Sequence, residues 1–263
     1  MKRTVLITGA SAGFGAACAR LYAKHDDDLV LVARRAERLE SVRKALPDTC
    51  TVHTEVLDVR DRKRIEAFAA TLPALLTDKG FSSNNIDILI NNAGLALGLN
   101  PIPLADPEDW ETMIDTNIKG LLYFTQAIVP MMVAKNRGHI VNLGSIAGTW
   151  PYVGGNVYGA TKAFVKQFSR NLRADLLGKN IRVTNIEPGL AESEFSIVRF
   201  KGDRQRADQV YEGTDPLTPE DIADIIHWVT SLPPHVNINA LEVMPVCQAW
   251  DCLKVNKEMK KGT

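Results

Sequence analysis

Thr8-Gly9-Ala10-Ser11-Ala12-Gly13-Phe14-Gly15 follows directly on Thr4-Val5-Leu6-Ile7 near the start of the chain, and the order of these pieces decides the fold. A short apolar run reads as a buried strand, and the amphipathic stretch from Phe14 to Lys24 reads as a helix. The glycines between them suit a turn that offers backbone N–H groups to an anion. Gly9 can turn tightly, Gly13 can let the backbone approach a pyrophosphate, and Gly15 can let the helix pack close. The positive end of the helix dipole adds to such a cradle. Because the chain holds 18 glycines, the spacing alone is weak. Its place between strand and helix gives it weight, and a glycine-rich turn with no ligand stays open as the plain alternative.

Working outward, the same alternation continues. Strands are expected at Thr4 to Thr8, Leu29 to Ala33, Val52 to Leu57, Ile86 to Asn91, His139 to Leu143, Arg182 to Glu187 and Leu241 to Met244. Helices are expected at Phe14 to Lys24, Ala36 to Leu46, Arg62 to Leu76, Pro107 to Lys135 with an interruption near Asn117 to Gly120, Val157 to Leu177, and Pro219 to Ser231. Strands apolar on both faces, each followed by a helix, indicate an α/β protein with a parallel sheet built from right-handed βαβ units. No proline- or serine-rich linker interrupts the pattern, so residues 1–263 read as one domain. Asp78 to Asn85 and Ser193 to Pro216 fall outside the alternation as polar, irregular stretches, and a lid is expected at about residues 190–216.

Composition narrows the partners. With 31 basic and 31 acidic residues among 263, the chain lacks the basic excess that nucleic acid or an anionic membrane usually demands. Any anion must be caught locally. The apolar run after Met1-Lys2-Arg3 breaks at Gly9, too soon for a secretory signal, and no stretch approaches the ~18 apolar residues of a membrane span. Cys18, Cys50, Cys247 and Cys252 show no zinc spacing, and neither do the histidines, so no metal is expected. A soluble cytoplasmic protein with reduced thiols is the expectation.

The end of the second strand normally separates the two nicotinamide cofactors, because an acidic side chain there accepts from the adenosine ribose and repels a 2′-phosphate. Here the residues are Ala33-Arg34-Arg35. Two guanidiniums can hold a phosphate bidentately, which predicts NADP; solvated charges at a helix start are the alternative. Asp58 closes the third strand and either accepts from an adenine amine or caps the next helix. Asn91-Asn92-Ala93-Gly94 ends the fourth strand, at the sheet edge where ligands bind, although a buried asparagine can also simply tie strands together.

Tyr158 and Lys162 are four residues apart and share a helix face. Ser145 precedes Tyr158 by thirteen residues at the end of the fifth strand, on the same edge as the glycine loop. Together they suit proton transfer coupled to hydride transfer between a carbon and nicotinamide. Bringing a phenol from its usual pKa near 10 to about 7 takes roughly 4 kcal/mol of phenolate stabilisation, which the Lys162 ammonium and an oxidised nicotinamide would supply. Ser145 would donate to the reacting oxygen, and Asn117 could hold a water relaying protons from Lys162. Singly, these residues also read as a capping serine, a packed tyrosine, a surface lysine and a helix-kinking asparagine.

The TGxxxGxG loop, the Asn91-Asn92-Ala93-Gly94 stretch, Asn117, Ser145 and the YxxxK pair together resemble the short-chain dehydrogenase/reductase family over essentially the whole chain. Longer strings, Leu95 to Gly98, Asp109 to Asn117, Trp150 to Tyr152, Gly154 to Val165 and Val198 to Asp203, resemble its bacterial NADP-dependent 3-hydroxy acid dehydrogenases, also described as L-allo-threonine or serine 3-dehydrogenases. The resemblance implies a seven-stranded doubly wound (Rossmann) sheet with helices on both faces, a homotetramer, and Tyr158 as acid/base. It implies oxidation at C3 of small 3-hydroxy or 2-amino-3-hydroxy acids and reduction of malonic semialdehyde. It also implies cofactor contacts at Thr8, Gly9, Ser11, Ala12, Gly13, Phe14, Gly15, Arg34, Arg35, Asp58, Val59, Asn92, Ala93, Gly94, Tyr158, Lys162, Pro188, Gly189 and Leu190. The chain departs from the bacterial pattern in a longer, more polar Leu75 to Asn85 segment and in Pro188 to Phe195, which is one residue shorter.

Substrate selection is expected to fall to Ser145, Tyr158, Trp150, Tyr152, Leu95 and the stretch from Glu192 to Arg204. Arg199 is the candidate clamp for a substrate carboxylate, with a solvated lid face as the alternative reading. A broad carbonyl or 3-oxoacyl reductase would share every catalytic residue, and a non-catalytic NADP-sensing protein would share the fold. The intact Tyr158–Lys162 pair beside Ser145 speaks against the sensor.

Overall fold

Seven parallel strands form one sheet in the order β3-β2-β1-β4-β5-β6-β7 in the computed structural model, which describes residues 2–250. The strands are β1 (Thr4–Thr8), β2 (Asp28–Ala33), β3 (Val52–Val56), β4 (Ile88–Asn91), β5 (Gly138–Leu143), β6 (Ile181–Pro188) and β7 (Ala240–Val243). β1 pairs with β2 on one side and β4 on the other, so chain order reverses there and a crevice opens above the carboxyl ends of the strands. The central strands are buried throughout, whereas β7 at the edge alternates exposed with half-buried residues.

Helices cover both faces: α1 (Gly13–Lys24), α2 (Ala36–Lys44), α3 (Arg62–Asp78), α4 (Pro107–Ile114), α5 (Leu121–Lys135), α6 (Asn156–Asp175), α7 (Glu194–Arg199), α8 (Arg204–Gln209) and α9 (Pro219–Ser231). Alternate side chains of each strand feed two cores. Val5 and Ile7 of β1 join Tyr22, Ile222 and Ile226 on one face, while Leu6 joins Leu72, Phe124 and Ile128 on the other. Helix starts are fixed locally. Asp61 accepts from the Arg64 N–H to cap α3, and Thr218 and Asp221 cap α9 reciprocally.

Three expectations change. The interruption in the long fourth helical run is a π turn over Asp115–Gly120, continuous with α4 and α5. The stretch read as an irregular lid contains two short helices, α7 and α8, each begun by a capping side chain, Ser193 and Asp203. Asp58 does not cap α3, since Asp61 does. The remaining differences are shifts of an element end by a few residues. No helix among the described residues is long and apolar enough to cross a membrane. Cys18 and Cys50 are buried free thiols and Cys247 is an exposed one; Cys252 lies outside the described residues.

Candidate active site

The turn after β1 places its glycines as the sequence suggests. Gly9 and Gly13 adopt positive φ, +67° and +50°, which glycine alone enters without strain. A Cβ on Gly15 would stand 2.5 Å from the Gly9 carbonyl oxygen, so only glycine lets α1 begin so close to the loop. Ala12 precedes α1 in extended conformation and no side chain caps the helix. Its first N–H groups therefore face the cleft without an internal acceptor, which suits a pyrophosphate. Thr8 braces the loop from below: its Oγ1 accepts from the Asn92 and Ala93 N–H groups at 3.1 and 3.0 Å. The Asn92 amide donates to the Thr8 and Gly9 carbonyls. Asn91 lies deeper and ties β4 to Asn142 and Thr125, the strand-tying role that the sequence left open for this stretch.

Along the cleft wall stand Ser11, Ala12, Gly13, Phe14, Arg34, Val59, Asn92, Ala93 and Gly94, and further in Ser145, Tyr158, Lys162, Pro188 and Gly189. Arg35 borders its outer end, donating from Nε and Nη2 to the Ser11 hydroxyl at 3.4 and 3.3 Å. Arg38, which sequence reading missed, stands one turn along α2 and donates with Arg35 to Glu194 of α7. Its spacing of three from Arg35 was the available signal. Arg34 lies 3.8 Å from Asp58. The Asp58 carboxylate is also held by Arg60, and these hydrogen bonds overcome burial to keep it below the usual range. Leu190 is outside the wall, its N–H bonded to Gln248.

Around the inner end, two glycines set the spacing of the reacting groups. The turn Ile146–Gly148 after β5 lies on α6 so closely that a Cβ on Gly148 would be 2.7 Å from the Lys162 carbonyl carbon. A Cβ on Gly159 would be 2.9 Å from the Ala147 carbonyl oxygen. This contact brings Ser145 up to Tyr158. The Ser145 Oγ accepts from the Ala147 N–H at 3.1 Å and lies 3.4 Å from the Pro188 carbonyl oxygen. Lys162 donates from Nζ to the Leu143 carbonyl at 2.7 Å, and its Nζ is 5.8 Å from the Tyr158 ring centre.

Burial dominates the titration of both groups. It pushes the Tyr158 phenol up to about 12, against the pull of Ser145 and Arg199, and brings Lys162 down to about 8. Ser145 and Arg199 thus work against burial at Tyr158, and the sequence reading assigns the further lowering jointly to the Lys162 ammonium and an oxidised nicotinamide. Asn117 sits in the π turn, 2% exposed. Its amide accepts from the Leu95 N–H and donates to the Leu95 carbonyl and the Thr161 hydroxyl. The side chain is a strut between the loop after β4 and α6.

Of the proposed substrate residues, Arg199 comes to the site and Trp150 does not. The Arg199 guanidinium lies over the Tyr158 and Phe195 rings at 5.2 and 5.0 Å, and donates to the Tyr152 hydroxyl at 3.2 Å. Its Nε is buried without a partner among the described residues. Trp150 turns away and donates from its indole N–H to Glu242 of β7. Leu95 joins the wall, together with Thr116, Ser193, Phe195 and Val198, which the sequence did not single out individually. Among the described residues no cluster of three or more His, Cys, Asp or Glu side chains could hold a metal.

A glycine cradle at one end of a cleft, two arginines at its rim and a Ser-Tyr-Lys group at the other define a dinucleotide-dependent oxidoreductase. The model of the short chain dehydrogenase family matches residues 3–203, and the chain belongs to that family. It is 56% identical over 254 residues to the NADP-dependent 3-hydroxy acid dehydrogenase YdfG of Salmonella typhi, covering 96% of this chain and 99% of the relative. It is 48% identical over 259 residues to sulfoacetaldehyde reductase 2 of Chromohalobacter salexigens, covering 98% of this chain and all of the relative. Among solved structures, the closed form of serine dehydrogenase complexed with NADP+ superposes with a TM-score of 0.90 at 54% identity, over 97% of this chain and 100% of that one.

Proposed function

We propose that the protein is an NADP-dependent dehydrogenase that oxidises the 3-hydroxyl of small 3-hydroxy or 2-amino-3-hydroxy acids, and in reverse reduces semialdehydes such as malonic semialdehyde. The observation that carries the substrate class is Arg199, a guanidinium held over the catalytic tyrosine with a buried, unpartnered Nε. A buried donor left unpaired costs about 1–3 kcal/mol, and a substrate carboxylate beside the reacting carbon would satisfy it.

The residues present fit the cofactor. The uncapped start of α1 and the positive-φ glycines suit the pyrophosphate, and Arg34 and Arg35 suit the 2′-phosphate. When bound, the oxidised nicotinamide supplies the acceptor for a hydride from the hydroxyl-bearing carbon and places a positive charge near Tyr158. Tyr158, as phenolate, takes the substrate hydroxyl proton. Ser145 donates a hydrogen bond to the same oxygen and, with Arg199, favours the phenolate. Lys162 remains an ammonium at neutral pH even with its affinity for the proton reduced to about 8, and its charge stabilises the phenolate further. Asn117 keeps the loop after β4 and α6 in register. The resemblance further implies a cytoplasmic homotetramer, whose assembly sedimentation of the purified protein checks.

The reaction is tested by following nicotinamide reduction with L-serine, L-allo-threonine, 3-hydroxypropionate and 3-hydroxyisobutyrate, and oxidation with sulfoacetaldehyde and a bulky ketone. Turnover of the small hydroxy acids with NADP, and little with the ketone, is expected. Preference for the ketone would favour the broad carbonyl reductase, and no turnover with any of them would favour the sensor.

A further inference from the structure

Helix α7 carries opposite charges at its two ends, and each end reaches a different part of the site. At its C-terminal end Arg199 covers Tyr158. About 7.5 Å away along the axis of this six-residue helix, Glu194 faces α2: its Oε2 accepts from Arg35 Nη1 at 3.0 Å and its Oε1 from Arg38 Nη1. Burial works to raise the Glu194 carboxyl, and the two guanidiniums outweigh it and hold it below the usual range. Glu194 also lines the cleft. A carboxylate thus occupies the guanidiniums that stand at the rim of the dinucleotide cleft.

We propose that Glu194 is an internal counter-anion that latches α7 to α2 and competes with the 2′-phosphate for Arg35 and Arg38. The inference rests on the NADP reading above. A phosphate carries up to two negative charges and three acceptor oxygens, so it displaces one carboxylate from a pair of arginines. The carboxylate contact is largely exposed, with side-chain exposures of 45% for Arg35, 51% for Arg38 and 37% for Glu194, so its hold is modest and screened by salt. NADP binding therefore begins by exchanging one anion for another. A cofactor without the 2′-phosphate leaves the latch in place.

The test is direct measurement of NADPH and NADH dissociation constants, by fluorescence, for the full-length protein and for Glu194→Gln and Glu194→Ala at low and at high ionic strength. With the competitor gone, NADPH is expected to bind about three- to tenfold more tightly in both variants at low salt. NADH affinity should stay unchanged, and the NADPH gain should shrink as salt is added. A purely structural tie would instead leave NADPH affinity unchanged or weaken it, and either result in a protein that prefers NADPH overturns the proposal. Equal affinity of the unsubstituted protein for the two cofactors would overturn the reading of Arg35 itself, and the proposal with it.

Discussion

Tyr158 is where the opposing effects meet. Burial raises the Tyr158 phenol to about 12 and so leaves little phenolate near neutral pH, and Ser145 and Arg199 both oppose that rise. Ser145→Ala should therefore do more than lower kcat: the rising limb of the kcat/KM profile against pH should move to higher pH, because a group that favours the phenolate has been lost. An unmoved limb with reduced kcat would mean that Ser145 only positions substrate. Arg199→Ala is expected to raise KM for L-serine and 3-hydroxypropionate about tenfold or more, as loss of a charge-assisted hydrogen bond does, and to leave KM for an uncharged ketone unaffected. Arg34→Asp combined with Arg35→Ala should abolish the preference for NADP over NAD in steady-state assays. Sequence made the Tyr158–Lys162 pair legible because both lie on one helix at a fixed interval. It put Arg199 forward as the carboxylate clamp but left a solvated lid face open, because local pattern does not show which lid cation reaches Tyr158. Trp150 was misplaced because its orientation depends on Glu242, ninety-two residues away, which local pattern does not report.

At the scale of elements, the spacing of Ser145 from Tyr158 rests on the turn after β5 lying against α6, and the glycine at 148 permits that approach. Gly148→Ala places a methyl 2.7 Å from the Lys162 carbonyl carbon, so the turn must shift. A loss of about 1–3 kcal/mol in stability by denaturant titration is expected, accompanied by a fall in kcat larger than any change in NADPH affinity, since the cofactor cradle on β1 and α1 is remote from the turn. The strands and most helices were legible because a parallel sheet demands apolar runs and its helices amphipathic ones. The π turn showed itself only as an interruption, because the same residues read equally well as a kink. Helices α7 and α8 were hidden because each has six residues, too few for a periodic pattern. Glu194 and Arg38 meet only because the lid folds back on α2, and nothing in their sequence neighbourhoods reports that contact.

Across the whole molecule, acidic groups at the amino ends of the strands hold the sheet opposite the cleft. Asp28 is buried at the start of β2, where it accepts from the Ser82 N–H at 2.8 Å and the Thr51 N–H at 3.3 Å and pairs with Lys2 at 3.0 Å. Burial would raise its carboxyl, but these partners prevail and its pKa falls below the usual value. A carboxyl with a lower pKa in the folded state stabilises above its unfolded pKa, and the benefit is lost as pH falls through the folded one. Asp28→Asn should therefore destabilise the protein at neutral pH, by about 1–3 kcal/mol for a buried charged hydrogen-bonding group, and the difference from the unsubstituted protein should narrow below about pH 4. The 31 basic and 31 acidic residues balance overall, while local sign is unevenly placed: Arg34, Arg35 and Arg38 stand at one end of the cleft and Arg199 at the other.

The central claim is that Tyr158 carries the proton while the rest of the cleft binds the dinucleotide. Tyr158→Phe removes the hydroxyl and keeps the ring under Arg199, so one preparation measured for both turnover of L-serine with NADP and NADPH affinity separates the two functions. Turnover should fall by about 10²- to 10⁴-fold with NADPH affinity within about twofold of the unsubstituted protein, a difference of under 1 kcal/mol. Retention of turnover in Tyr158→Phe would contradict the assignment.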